Sequence, residues 1–162
     1  MRNTQERRQN VLPEATDDVS YGSKPKDAKH WREKLLREVG IDPNRVHFLG
    51  KIPYDRYRSL LQASAAHVYL TYPFVLSWSM LEAMACGCLV IGSDTAPVRE
   101  VIQDGVNGVL VDFFDAGAIA QVVSDNLVMQ NRQYSLRKQA VVEMTKNYNL
   151  ISGISAYQEI LQ

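Results

Sequence analysis

The feature that most constrains this chain is an alternation. Short apolar runs at residues 45–49, 67–71, 89–91 and 108–111 are separated by stretches with helical spacing or helix-start signals. Ala28, Trp31, Leu35 and Val39 recur at helical intervals before Gly40 stops them. Pro53 opens a helix through Tyr57, Leu60 and Leu61. Pro97 stands in the first turn of another, where its missing N–H costs nothing. Asp104-Gly105 and Asn107-Gly108 supply turn residues, and Asp115 caps a helix reaching to about residue 129, with one or two helices after it. Short strands alternating with helices predict βαβ units and a parallel sheet. The expected class is α/β, a Rossmann-like parallel sheet with helices on both faces. Residues 1–18 are expected to be disordered or atypical, with only Val11-Leu12 as a strand stub, and residues 19–162 to form one domain.

Bulk properties remove several functions. The 162 residues suffice for a real core. Lys plus Arg and Asp plus Glu balance at 18 each, so no net field invites nucleic acid or an anionic membrane. No apolar run approaches the length of a transmembrane segment, and residues 1–18 lack the apolar stretch of a signal peptide, so a cytoplasmic location is expected. Cys86-Gly87-Cys88 has the spacing of neither a disulfide framework nor a zinc site and reads as two small buried thiols. His30, His47 and His67 lack metal-ligand spacing, so no metal is expected. No G-x-G-x-x-G follows any strand, which speaks against dinucleotide binding.

In a doubly wound sheet, ligands bind beyond the carboxyl ends of the strands, where helices begin. The loops after Phe48, Thr71, Ser93 and Val111 are therefore the candidates. Pro73 bars the strand before it from continuing. Ser77 or Ser79 is placed to cap the next helix, whose opening amides and dipole favour an anion. Glu82, one turn on, suits a pair of ribose hydroxyls, or is simply a favourable dipole partner. Tyr54, Tyr57, Tyr69, Tyr72 and Trp78 offer stacking surfaces for a base, although packing explains them better. Ser93-Asp94-Thr95 suits either a sugar contact or a helix cap.

The ordered strings Leu-Glu-Ala-Met-Ala-x-Gly (81–87), Pro-Val-x-Glu (97–100) and Asp-Gly-x-Asn-Gly (104–108) resemble the C-terminal domain of GT-B glycosyltransferases of family 4. The likeness is strong over 45–112 and weaker over the rest of 19–162. It implies one half-domain of a retaining enzyme that transfers a sugar from a nucleotide diphosphate donor, a UDP-, GDP- or ADP-sugar, without cofactor or metal. Carried over by position, Glu82 binds the donor ribose, and the backbone at Ser77 and Trp78 meets the diphosphate. Ile52 lies near the nucleobase, and Glu100 holds the loop that starts at Thr95 beneath the sugar, or is simply a capping or packing residue of a short helix.

Two departures qualify the resemblance. Phe74 stands where the family carries a sugar-contacting glutamate. No strand and loop bearing a basic Arg–Lys pair precedes residue 19, so the first βα units are expected to be incomplete. With the interior first strand missing, the strands at 45 and 67 must pair directly in a rearranged four-strand sheet, or leave open edges that recruit another copy. The acceptor-binding N-terminal domain is expected to be a missing partner, leaving the chain inactive alone. The alternative is a non-catalytic nucleotide-sugar or protein-binding module on the same fold.

Overall fold

A computed structural model describes residues 10–12, 25–42, 44–72 and 75–161, and Phe74 lies outside them. The chain divides into two compact units, residues 1–54 and 55–162.

In the first unit, β1 (Asn10–Leu12) and β2 (Val46–Phe48) form a parallel pair with Val11 opposite His47. The strand stub expected at Val11-Leu12 lies in β1, for which β2 supplies the ladder partner. Between them runs α1 (Trp31–Glu38). His30 caps it, its Nδ1 accepting the Glu33 N–H at 3.1 Å, and the Val39 N–H closes the last turn on the Leu35 carbonyl. Asp27 receives Arg37 at 2.6 Å and Lys34 at 3.3 Å. These pairs are exposed and add little stability. Arg32 lies over the Phe48 ring, 3.8 Å from its centroid.

The second unit is built on β3 (Ala66–Tyr69), β4 (Leu89–Ser93) and β5 (Val109–Val111), all parallel in the order β3-β4-β5. In place of the expected direct pairing of the strands at 45 and 67, the described strands form two ladders, β1-β2 and β3-β4-β5. All five residues of β4 are buried, as befits a central strand covered on both faces. Successive β4 side chains point to opposite faces. Cys88 and Val90 join Leu61 of α2 (Tyr54–Ala63), Met80, Ala83 and Met84 of α3 (Trp78–Ala85), and Val98 of α4 (Ala96–Arg99). Leu89 and Ile91 join Val109 and Val111 of β5, with Ile119 and Val122 of α5 (Ala116–Val128) packed against them. Helix α6 (Gln130–Asn147) serves both clusters, giving Ala140 and Met144 to the first and Leu136 to the second. The final helix, α7 (Leu150–Ile160), has no buried residue.

The expected caps are present. Asp115 Oδ1 accepts the Ala118 N–H at 2.8 Å to start α5. Gly87, at φ +71°, ends α3: its N–H reaches the Met84 carbonyl at 3.0 Å, and the Cys88 N–H reaches that of Ala83 at 2.9 Å. This is the paired pattern of a Schellman stop, which needs a left-handed residue that glycine adopts without strain. The Arg137 guanidinium of α6 then binds the Gly87 carbonyl, tying that stop to the last long helix.

Candidate functional site

Within the second unit, the carboxyl ends of three parallel strands lead into the loops that should hold a ligand. At the end of β4, Ser93 is fully buried. Its hydroxyl donates to the Thr71 carbonyl at 2.8 Å and accepts the Thr71 N–H at 3.0 Å. One side chain thus locks the end of β4 to the backbone just beyond β3. The sugar or capping role considered for Ser93 is replaced by this clamp.

From Thr71 the chain leads to α3. Ser77 is its cap, its Oγ accepting the Ser79 N–H at 3.3 Å. The Ser77 N–H itself donates to the hydroxyl of Tyr69 at 3.0 Å, and the Met80 N–H reaches the Ser77 carbonyl at 3.2 Å. Of the two amides expected to meet a diphosphate, Ser77's is therefore engaged inside the protein. That of Trp78 has no named acceptor among the described residues. The Ser77 and Ser79 hydroxyls lie 3.1 Å apart beside it.

Along α3, Met80, Ala83 and Met84 fill the core, which places Trp78 and Glu82, four residues apart, together on the opposite side. Trp78 is 79% exposed and Glu82 half-buried. The Glu82 side chain thus leaves the packed face.

The loop after β4 is held by Asp94, whose two carboxylate oxygens take the Arg99 guanidinium, Nη2 at 2.7 Å. That bond keeps the Asp94 carboxyl below its ordinary range. Thr95 sits at the N-cap of α4 without a side-chain capping bond, and its buried hydroxyl oxygen has no partner among the described residues. Glu100 is an exposed C-cap at the other end of α4, and it lines a groove with Gln139 and Glu143 of α6. The Asp94–Arg99 pair bridges this loop to α4, and the C-cap position of Glu100 fits the capping alternative considered for it. Ile52 is half-buried in the first unit.

The Asp-Gly-Val-Asn-Gly turn proves to be internal scaffolding. Asp104 Oδ1 accepts the Leu110 N–H at 2.8 Å. Asn107, buried, accepts the Gln103 N–H at 2.8 Å and donates to the Val101 carbonyl at 2.9 Å. Gly105 takes φ +70°. A Cβ on Gly108 would stand 2.9 Å from Ile102 Cγ2 and 3.2 Å from the Val90 carbonyl, so only glycine fits.

The expected aromatic group is not one cluster. Tyr69 is buried in the core, whereas Tyr72 stacks on Phe113 at 5.6 Å and meets Phe114 edge-on at 4.8 Å. Phe113 and Phe114 follow β5 and carry no periodic signal that would pair them with Tyr72. Cys88 is buried, its thiol pushed up to about 11 by burial, while Cys86 is half-buried and free. His67 is held below its usual range by burial. Among the described residues, no group of three acidic, His or Cys side chains is placed to hold a metal, and no helix is long and apolar enough to cross a membrane.

A parallel α/β sheet with a capped helix rising from the carboxyl end of β3 is the architecture of a GT-B glycosyltransferase half-domain, and solved structures share it. Anabaena HepE in complex with UDP-glucose superposes with a TM-score of 0.72 at 20% identity, covering 80% of this chain and 35% of that one. Sucrose-phosphate synthase of Thermosynechococcus elongatus gives 0.71 at 22% identity, covering 93% and 38%. The chain belongs to the glycosyl transferases group 1 family, whose model matches residues 9–127. Among its relatives, the N-acetyl-alpha-D-glucosaminyl L-malate synthase of Bacillus anthracis is 30% identical over 134 residues, which cover 80% of this chain and 34% of that protein. The chain spans about a third of the length of the relatives it matches.

Proposed function

We propose that this glycosyltransferase domain binds a nucleotide diphosphate sugar at the carboxyl end of its three-strand sheet, as the donor half of a retaining glycosyltransferase. The observation that carries the reading is the α3 terminus. Its Ser77 cap, the Trp78 amide and the two serine hydroxyls face the positive end of the helix dipole, where phosphate is favoured. The Glu82 carboxylate, on the unpacked side of the same helix, receives the ribose hydroxyls. The UDP and UDP-glucose bound by HepE support a nucleotide donor of this class. By its position in the family Thr95, whose hydroxyl oxygen has no partner among the described residues, serves the sugar end. The chain spans about a third of its relatives' length; in this reading it binds donor, and sugar transfer needs a further, acceptor-binding domain beside it. The alternative, a binding-only module, is favoured by Phe74 in place of a sugar-contacting glutamate.

Calorimetric titration with UDP-, GDP- and ADP-sugars tests this. One nucleotide class should bind, and Glu82→Gln should weaken it about tenfold or more, the loss of a charge-assisted bond. Failure of all three to bind the unaltered chain would overturn the nucleotide site. Sugar transfer by the chain alone would overturn the division of labour.

A further inference from the structure

We propose that Tyr69 is a positioning residue of this site, its buried hydroxyl setting the start of α3 for phosphate. The inference rests on the donor-binding reading above. Tyr69 is 8% exposed, its ring packed in the core cluster with Met80, Met84 and Val90. A buried tyrosine hydroxyl needs a partner, and this one takes the Ser77 N–H at 3.0 Å, eight residues along the chain.

The loop from β3 to α3 is thereby fastened at both ends by hydroxyls of the sheet. Ser93 of β4 holds Thr71 where the loop begins, and Tyr69 of β3 holds Ser77 where it ends. Neither bond belongs to a strand ladder or a helix. Tyr69 also changes what a phosphate meets. With the Ser77 amide engaged by Tyr69, the Ser79 amide by Ser77 Oγ and the Met80 amide by the Ser77 carbonyl, the terminus offers the Trp78 amide and the Ser77 and Ser79 hydroxyls. Tyr69 gives up one amide and gains a fixed cap. Donors held in place before the ligand arrives bind with less ordering cost.

Tyr69→Phe keeps the ring and deletes only the oxygen. In the full chain, amide exchange read by NMR should show Ser77 losing protection, and calorimetry should show UDP binding weakened about threefold to tenfold, the range of one hydrogen bond. Met144→Ala, which opens the same core cluster from α6, serves as a control for general destabilisation. It should lower the melting temperature and leave UDP affinity unchanged. Tyr69→Phe binding UDP as tightly as the unaltered chain, or Ser77 staying protected, would overturn the positioning role. So would equal losses in both variants. If the unaltered chain binds none of UDP, GDP and ADP, the donor site falls and the role of Tyr69 falls with it; if it binds GDP or ADP instead, that nucleotide replaces UDP in both comparisons. Binding lost only in Tyr69→Phe leaves both standing.

Discussion

At the scale of single residues, hydroxyls and amides far apart in sequence hold the loops that a helix or strand pattern cannot explain. Ser93 lies 22 residues from Thr71, yet satisfies both its backbone groups from a fully buried position. Ser93→Ala should cost about 1–3 kcal/mol in chemical denaturation, because it strands a donor and an acceptor together. A change below the error of the fit would show that water takes over both groups. Ser93, Tyr69 and Arg137 share one property: each acts on a distant backbone atom, so no local spacing marks it. Reading the residues alone therefore found the Ser77 cap, which is set within one helix turn, and missed the clamp at Ser93.

Among the elements, the reverse holds. The four main strands and the helices between them were legible because their apolar spacing and caps are local. Ser77 starts α3, Asp115 starts α5 and Gly87 ends α3, as their residue types imply. What the pattern missed is pairing. Three residues at Asn10–Leu12 are too few to show periodicity, and only their ladder with β2 makes them a strand. The Gly87 stop makes a direct test of local chemistry. A Cβ there would meet nothing closer than Val141 Cγ2 at 3.5 Å, so Gly87→Ala is limited by backbone conformation and not by space. It should cost about 1–2 kcal/mol, the penalty of a left-handed L-residue. A neutral result would mean that α3 ends by another route.

For the molecule as a whole, α6 matters more than its place outside the family match suggests. The match ends at residue 127, yet Leu136, Ala140 and Met144 fill the cores on both faces of the sheet. A chain ending at 127 should lose cooperative thermal unfolding, since both clusters open at once. A chain ending at 149 removes only α7, whose Leu150, Ile151, Ile154 and Tyr157 are all exposed, and should melt within a few degrees of the full chain. Circular dichroism melts of the two truncations decide it. Equal behaviour would mean that α6 packs without stabilising.

The turn from Asp104 to Gly108 carries a wider lesson about ancestry. Asp104 and Asn107 answer to neighbouring backbone groups, and the bareness of Gly108 answers to Ile102 and the Val90 carbonyl. A lineage that abandoned sugar transfer would still need Asp104, Asn107 and Gly108 to fold the chain into β5. Kinship read from that turn reports how the polypeptide folds, and a test of sugar transfer has to look at other positions.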